Sequence, residues 1–273
     1  MFALIDERER NDKHVAEKGT RMTIKTLLLG LAASAAFAGN AQAATNLVVN
    51  GGFETWGLGA NSDEFSTQYG PGNGQLQGWT TDGLAFVFVP GDIDAVGRYG
   101  GFSLYRPENG TNNGLTVSGQ GGNFIASDAD RGFGAPITQL ISGLTVGREY
   151  NVSFEWAAAQ QTNFFGDTFE SWQVSLLDSG NNVTADYSTG FVNNPEAGFQ
   201  PWRAASFRFT ATEAAQTLRF WADGGPGGLP PFSLLDNVSV TDVPEPSSWV
   251  MLIAGFGLVG AAARRRRPAT IAA

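Results

Sequence analysis

Tyr150-Asn151-Val152-Ser153-Phe154-Glu155-Trp156 places Tyr150, Val152, Phe154 and Trp156 on one side of an extended chain, and Asn151, Ser153 and Glu155 on the other. A period of two is the pleat of a β-strand with one face in a core and one toward solvent. Ser206-Phe207-Arg208-Phe209-Thr210 repeats it, with Phe207 and Phe209 turned inward. From residue 44 to residue 242 no long stretch has apolar residues every three to four positions, and short runs are divided by Gly, Asn, Asp and Pro. The pattern predicts strands near 47–49, 84–89, 123–126, 137–141, 150–157, 172–177, 204–211, 217–222 and 235–241. Half-buried antiparallel strands of this kind build an all-β sandwich. Trp156 and Trp221 are expected in its core. Residues 57–78 and 91–122 read as long loops, where a ligand would be sought.

Residues 44–242 are about two hundred in number, a normal size for one domain, and they contain no internal repeat. The whole chain has no cysteine, so disulfides contribute nothing to stability, and its one histidine, His14, precedes the domain. Serine–histidine triads, cysteine nucleophiles and histidine-based zinc sites are therefore excluded for residues 44–242. The same residues carry twenty Asp and Glu against seven Arg and no Lys, a net charge near −13. Such a surface repels nucleic acid and anionic membranes, and it suits calcium, neutral glycans or plain solubility.

The flanks are of another kind. Residues 1–21 hold five acidic and five basic side chains without apolar periodicity and precede Met22, so they read as a start assigned too early or a long n-region. Residues 22–43 have the form of a secretory signal peptide: Lys25, an apolar run over 27–38, and the small-residue site Ala41-Gln42-Ala43. The apolar run, about twelve residues, is short for a membrane span, which disfavours a signal anchor. After residue 242 come Pro244, Glu245 and Pro246, which cannot join a sheet ladder, so the folded domain ends before them. Residues 247–263 carry no charge, enough for roughly 25 Å of transmembrane helix. Arg264, Arg265, Arg266 and Arg267 follow, before a short tail over 268–273, and would hold that end in the cytoplasm. Length and charge alone leave a plain anchor and a cleaved sorting signal as equal readings.

Pro244-Glu245-Pro246, Trp249, the glycines Gly255, Gly257 and Gly260 and the basic terminus resemble the PEP-CTERM sorting signal, in its variant with tryptophan three residues after the second proline. The resemblance covers 243–267. It implies export through the Sec machinery, a transient stay in the inner membrane of a Gram-negative bacterium, and recognition by an exosortase, a membrane-embedded protease-transpeptidase. The tail would be cut near the motif and the domain placed at the cell surface or in the exopolysaccharide matrix. Within the domain, 46–54 with Gly78-Trp79, 137–150 and 234–240 resemble the opening, centre and closing strand of galactose-binding-like jelly rolls, the fold of many carbohydrate-binding modules.

If the first and last strands lie side by side as in those jelly rolls, Glu54 meets Asp236. Two such carboxylates call for a cation, and calcium takes six to eight oxygens, with Asn50, Gly51 or Asn237 completing the shell. The bland alternative is that Glu54 pairs with an arginine and Asp236 caps a turn. Asp128 and Asp130 read as turn caps, since their stretch lacks the rest of a calcium loop. A non-catalytic domain that binds carbohydrate, exopolysaccharide included, would use flat rings near turns: Trp56, Tyr69, Phe164, Phe165 and Trp202. A structural matrix or adhesion protein without a glycan site is the second reading. A carboxylate-based glycoside hydrolase, drawing on Glu155, Asp167 and Glu170, is the third.

Overall fold

The computed structural model describes residues 45–57, 64–65, 75–89, 94–97, 99–109, 111–243, 253–258 and 261. In chain order its strands are β1 (Trp56–Gly57), β2 (Gln75–Leu76), β3 (Ala85–Phe88), β4 (Asp94–Gly97), β5 (Gly100–Ser103), β6 (Phe124–Asp128) and β7 (Ile137–Ser142). These are followed by β8 (Glu149–Gln160), β9 (Thr168–Leu177), β10 (Val183–Ser188), β11 (Val192–Asn194), β12 (Phe199–Thr210), β13 (Ala215–Gly225) and β14 (Pro231–Asp242). The first five-stranded sheet runs β10-β9-β13-β7 with β11 also on β9, and the second runs β12-β8-β14-β6-β3. All their pairings are antiparallel, and the two sheets form a jelly-roll β-sandwich.

The main core lies between the sheets. Ile137, Ile141, Trp172, Val174, Leu176, Leu218 and Phe220 project from the first sheet onto Val87, Ile125, Val152, Phe154, Trp156, Leu235 and Val240 of the second. Phe220 meets Phe154 edge-on at 5.1 Å and Trp172 edge-on at 5.9 Å between ring centroids, the offset that ring quadrupoles favour. The Trp172 indole N–H donates to Leu234 O at 3.0 Å, so a core ring also ties the two layers together.

The second sheet is covered on its other face as well. Phe86, Phe88, Phe124, Ala126, Ala157, Ala159, Phe232 and Leu234 pack there beneath Phe102, Leu104 and Leu115. Burial on both faces removes the need for alternation, which is why β3 and β6 are buried at every position and β8 runs Ala157-Ala158-Ala159 before its last residue, Gln160. The segment 91–122, expected as a free ligand loop, is thus in part a lid on the sheet, held by the β4–β5 ribbon and the stacked pair Phe86 and Phe102 at 4.5 Å.

Every expected strand is present except that at 47–49. There the chain lies beside β14 without forming a ladder: Leu47 N–H donates to Val240 O at 2.9 Å, and Asn46 Oδ1 accepts from Val240 N–H at 3.0 Å. β10 and β11 are additions to the expected strands, since β10 has only exposed and half-buried positions and no apolar face to read; so are β1 and β2, a two-residue ladder that closes the ends of the segment read as a loop over 57–78. The expected leader at 1–21 and 22–43, and Pro244, Glu245, Pro246, Trp249, Arg264, Arg265, Arg266 and Arg267, lie outside the described residues. Of the helix expected over 247–263, residues 253–258 are helical, and no helix among the described residues is long and apolar enough to cross a membrane.

Candidate functional site

β13 decides what stands on the outer face of the first sheet. Leu218, Phe220 and Ala222 point into the core, so Thr217, Arg219, Trp221 and Asp223 point outward. Trp221, expected in the core, is therefore half-buried on the surface. The alternation of its own strand carried that signal, and only the bulk of the ring argued against it. Arg131 lies 4.9 Å and Arg219 6.0 Å from its ring centroid, within cation–π range. Arg131 is held by Asp223 through two parallel bonds, Nε to Oδ1 at 2.8 Å and Nη2 to Oδ2 at 2.9 Å. The hydrogen bond and charge of Asp223 push the Arg131 guanidinium still higher than its ordinary value. Arg219 Nη2 donates to Ser175 Oγ at 3.2 Å, and Gln173 Nε2 donates to Ser188 Oγ at 2.9 Å. Register puts Gln173 opposite Trp221 and the buried Ser175 opposite Arg219, so ring, guanidinium, amide and hydroxyl lie on the same side of the sheet.

A second constellation sits on the other sheet. β14 breaks register between Asp236 and Ser239, and Asn237 takes a left-handed conformation there at φ 55°. Asp236 lies opposite Glu155 of β8, and Asn237 Nδ2 donates to Glu155 Oε2 at 3.1 Å. Asp236 is buried and accepts from Ser118 Oγ at 2.5 Å and from Asn237 N–H at 2.6 Å. Burial pushes its carboxyl up to about 6, the two hydrogen bonds oppose this, and the charges of Glu155 and Glu54 add to it. Glu54 Oε1 accepts from Asn123 N–H at 2.8 Å, beside Gly122 at φ 82°, where a Cβ would fall 1.8 Å from that oxygen.

Glu54 and Asp236, paired by the sequence reading, are thus neighbours, and the structure adds Glu155 and Ser118. The donor set is all oxygen, which fits a hard cation such as calcium. Two expected helpers are committed elsewhere. Asn50 gives its side chain to Thr55 and Gln77, and Gly51 O accepts from Val238 N–H at 2.9 Å. Among the described residues no group of three or more Asp, Glu, His or Cys side chains is arranged to hold a metal. Asp128 and Asp130 cap a turn, accepting from Asp130 N–H at 2.8 Å and Gly132 N–H at 2.9 Å, and burial pushes Asp128 up to about 7.

The expected ring residues are not gathered. Trp56 packs half-buried against the core, and Tyr69 lies outside the described residues. Phe164 O accepts from Tyr105 Oη at 3.1 Å, and Phe165 is 68% exposed. Trp202 packs edge-on against Phe124 at 5.6 Å and donates to Thr116 O at 2.8 Å, which makes it part of the second sheet's cover. The carboxylates considered for hydrolysis are equally dispersed. Glu155 sits beside Asp236, and Asp167 caps the exposed Glu196 N–H at 3.0 Å. Glu170 faces the sandwich interior, where burial pushes it up to about 8. There Thr168 Oγ1 donates to its Oε1 at 2.6 Å and its Oε2 has no partner.

The last rung of β14 is where the domain meets its tail, and a match to the PEP-CTERM protein-sorting motif begins there, over residues 242–267. The chain carries a PEP-CTERM protein-sorting motif. A PEP-CTERM motif directs sorting by an exosortase toward the cell surface, so the β-sandwich upstream of it is the exported part. No curated protein matches the chain. Among solved structures it is similar to the CBM61 module TmCBM61 in complex with β-1,4-galactotriose, at 18% identity and TM-score 0.39, over 73% of this chain and 99% of that one. It is similar also to the CBM22-1 xylan-binding domain of Paenibacillus barcinonensis Xyn10C, at 11% identity and TM-score 0.35, over 75% and 99%. The enzymatically active domain of bacteriophage CBA120 tailspike protein 4 matches at 16% identity and TM-score 0.36, where 72% of this chain spans only 21% of that one.

Proposed function

We propose that this PEP-CTERM protein is a non-catalytic carbohydrate-binding domain displayed at the cell surface or in the exopolysaccharide matrix. The observation that carries the reading is the outward-facing, half-buried Trp221, with Arg131 and Arg219 at its ring and Gln173 opposite it. Sugars present flat C–H faces to aromatic rings and hydroxyls to amides, guanidinium groups and carboxylates. Trp221, Gln173, Arg219 and Asp223 offer both on one rigid sheet. The scattering of Glu155, Asp167 and Glu170 supports binding over hydrolysis, which needs two carboxylates facing one bond.

Calcium has a structural part in the same proposal. Glu54 and Asp236 hold the ion, with backbone and water oxygens completing its shell, and so fasten the opening segment to β14. The ion offsets the burial and the neighbouring charges that disfavour the Asp236 carboxylate. Titration calorimetry of EDTA-treated protein reads this directly: calcium gives heat and raises the melting temperature. A silent titration with an unmoved melting temperature removes the metal.

Affinity electrophoresis against a panel of neutral and acidic polysaccharides tests the binding face. Retardation by at least one, lost in Trp221→Ala and kept in Phe165→Ala, is the expected result. Retardation that survives Trp221→Ala moves the site elsewhere. No retardation by any glycan, the producer's exopolysaccharide included, leaves the matrix or adhesion role without a glycan site.

A further inference from the structure

Arg219 stands apart from the other described arginines of the domain. Arg131, Arg148 and Arg208 each meet a carboxylate, Asp223 at 2.8 Å, Asp242 at 3.3 Å and Glu149 at 3.3 Å. Arg106 lies 3.8 Å from Glu108, and Arg203 donates to Pro201 O at 3.3 Å and covers the Trp156 ring at 5.0 Å. Arg219 has no carboxylate partner among the described residues, and its one hydrogen bond is Nη2 to Ser175 Oγ. Its Nε is buried without an acceptor, and so is Nε1 of Trp221, two residues along on the same face of β13. A guanidinium keeps its charge at any physiological pH, so this cation is neither neutralised nor paired.

The groups around this pair are rich in hydroxyls. Register puts Thr138 and Ser175 on either side of Arg219, Gln173 beside Trp221, and Ser188 beside Gln173. The Thr138 hydroxyl is hydrogen-bonded to that of Thr80 at 3.0 Å. Of the acids on this side of the sheet, none pairs with Arg219. Asp223 is held by Arg131, and Asp130 accepts from Gly132 N–H. Asp186 stands one strand beyond Ser175, and Asp82 follows the bridge between Thr80 and Thr138. The acidity of the domain as a whole has little weight at this range, because charges farther away than about 8 Å are largely screened at physiological salt.

We infer that the ligand of this face is a carboxylate-bearing polysaccharide, a polymer of uronic acids, and that Arg219 binds the carboxylate. The inference rests on the glycan-binding reading above and narrows it to one chemical class. A uronate ring brings C–H groups for the indole and a planar carboxylate at its rim, and a carboxylate can accept two parallel N–H bonds from one guanidinium. The bond to Ser175 and the Trp221 ring hold the Arg219 guanidinium in place before a ligand arrives, so little side-chain freedom is lost on binding. Arg131 has no such part, because Asp223 already takes the Nε and Nη2 edge that a ligand carboxylate would use. A neutral sugar would leave the Arg219 charge without its anion.

Affinity electrophoresis in gels that carry polygalacturonate, alginate or the carboxyl-reduced form of each tests the inference. Reduction turns the carboxylate into a hydroxymethyl group and leaves ring and linkage as they were. Retardation by at least one acidic polymer is expected, about tenfold or more weaker on its reduced form and in Arg219→Gln, since hydrogen bonds to charged groups are the strong ones. Arg208→Gln removes an equal charge from the other sheet and is expected to bind as the wild type does. Thermal melting checks that Arg219→Gln is folded, and the reduced polymers test the wild type alone. Reduced polymers, galactan or xylan that retard the protein as strongly as the acidic ones overturn the carboxylate and leave glycan binding standing. Full retardation of Arg219→Gln by an acidic polymer overturns the part given to Arg219, and an equal loss in Arg208→Gln reduces the effect to net charge and overturns the site. No retardation by any polymer, acidic or neutral, defeats the glycan reading and this inference with it.

Discussion

Glu170→Gln makes the protein more stable at alkaline pH and about 1 kcal/mol less stable in acid. Glu170 is fully buried on the inner face of β9, where its neighbours Thr168 and Trp172 on the same strand and Val192 and Gly224 across it carry no charge. Burial holds its carboxyl near 8 against an ordinary 4.5, and one hydrogen bond from Thr168 offsets only part of the rise. Below pH 4.5 folded and unfolded chains are both protonated, and the group's contribution to stability is fully present. Between 4.5 and about 8 the unfolded chain gives up the proton and the folded chain keeps it, so stability falls as pH rises. Above 8 the loss is complete. At 1.36 kcal/mol per pH unit the whole loss is roughly 5 kcal/mol at most. A buried glutamine asks for one more acceptor, a cost of about 1 kcal/mol that applies at every pH. Denaturant unfolding of both proteins at pH 5, 6.5 and 8.5, followed by tryptophan fluorescence, measures the difference. Asp128 and Asp236 titrate in the same range but are common to both proteins and cancel. Parallel stability curves for wild type and Glu170→Gln across that range would refute the burial argument.

Three further outcomes follow from particular contacts. Gly51→Ala puts a Cβ 1.9 Å from Val238 O and breaks the join between the opening segment and β14, which calorimetry should read as a loss of about 1–3 kcal/mol. Phe154→Ala empties the centre of the core beneath Phe220 and costs about 3–5 kcal/mol in denaturant unfolding. Asp236→Asn removes a buried charge flanked by Glu155 and Glu54, so the calcium-dependent rise in melting temperature disappears while the calcium-free protein holds or gains stability.

The sandwich was legible wherever one face of a strand met water. Tyr150 to Trp156 and Ser206 to Thr210 alternate because β8 and β12 are half-buried there, and both strands were found on that evidence. The covered outer face of the second sheet was not legible. Ala157-Ala158-Ala159 and Phe86-Val87-Phe88 are apolar on both sides, and a run without a period does not say what covers it. Glu54 beside Asp236 came from resemblance alone. Glu155 joins them through the register of β8 on β14, a long-range fact that no local pattern encodes. Trp221 could have been placed from Leu218, Phe220 and Ala222. The weight given to its size displaced the weight due to its strand.

The interior position of β14 also orders events in time. Val240 is bonded to Asn46, 194 residues earlier in the chain, and both β6 and β8 wait for β14 to fill the gap between them. A chain crossing a membrane from its N-terminus delivers β14 last, immediately ahead of its sorting motif. Until then β6 and β8 present open edges that invite pairing with other chains. The core closes only when the whole domain has been delivered, and contacts of such long range make closure slow.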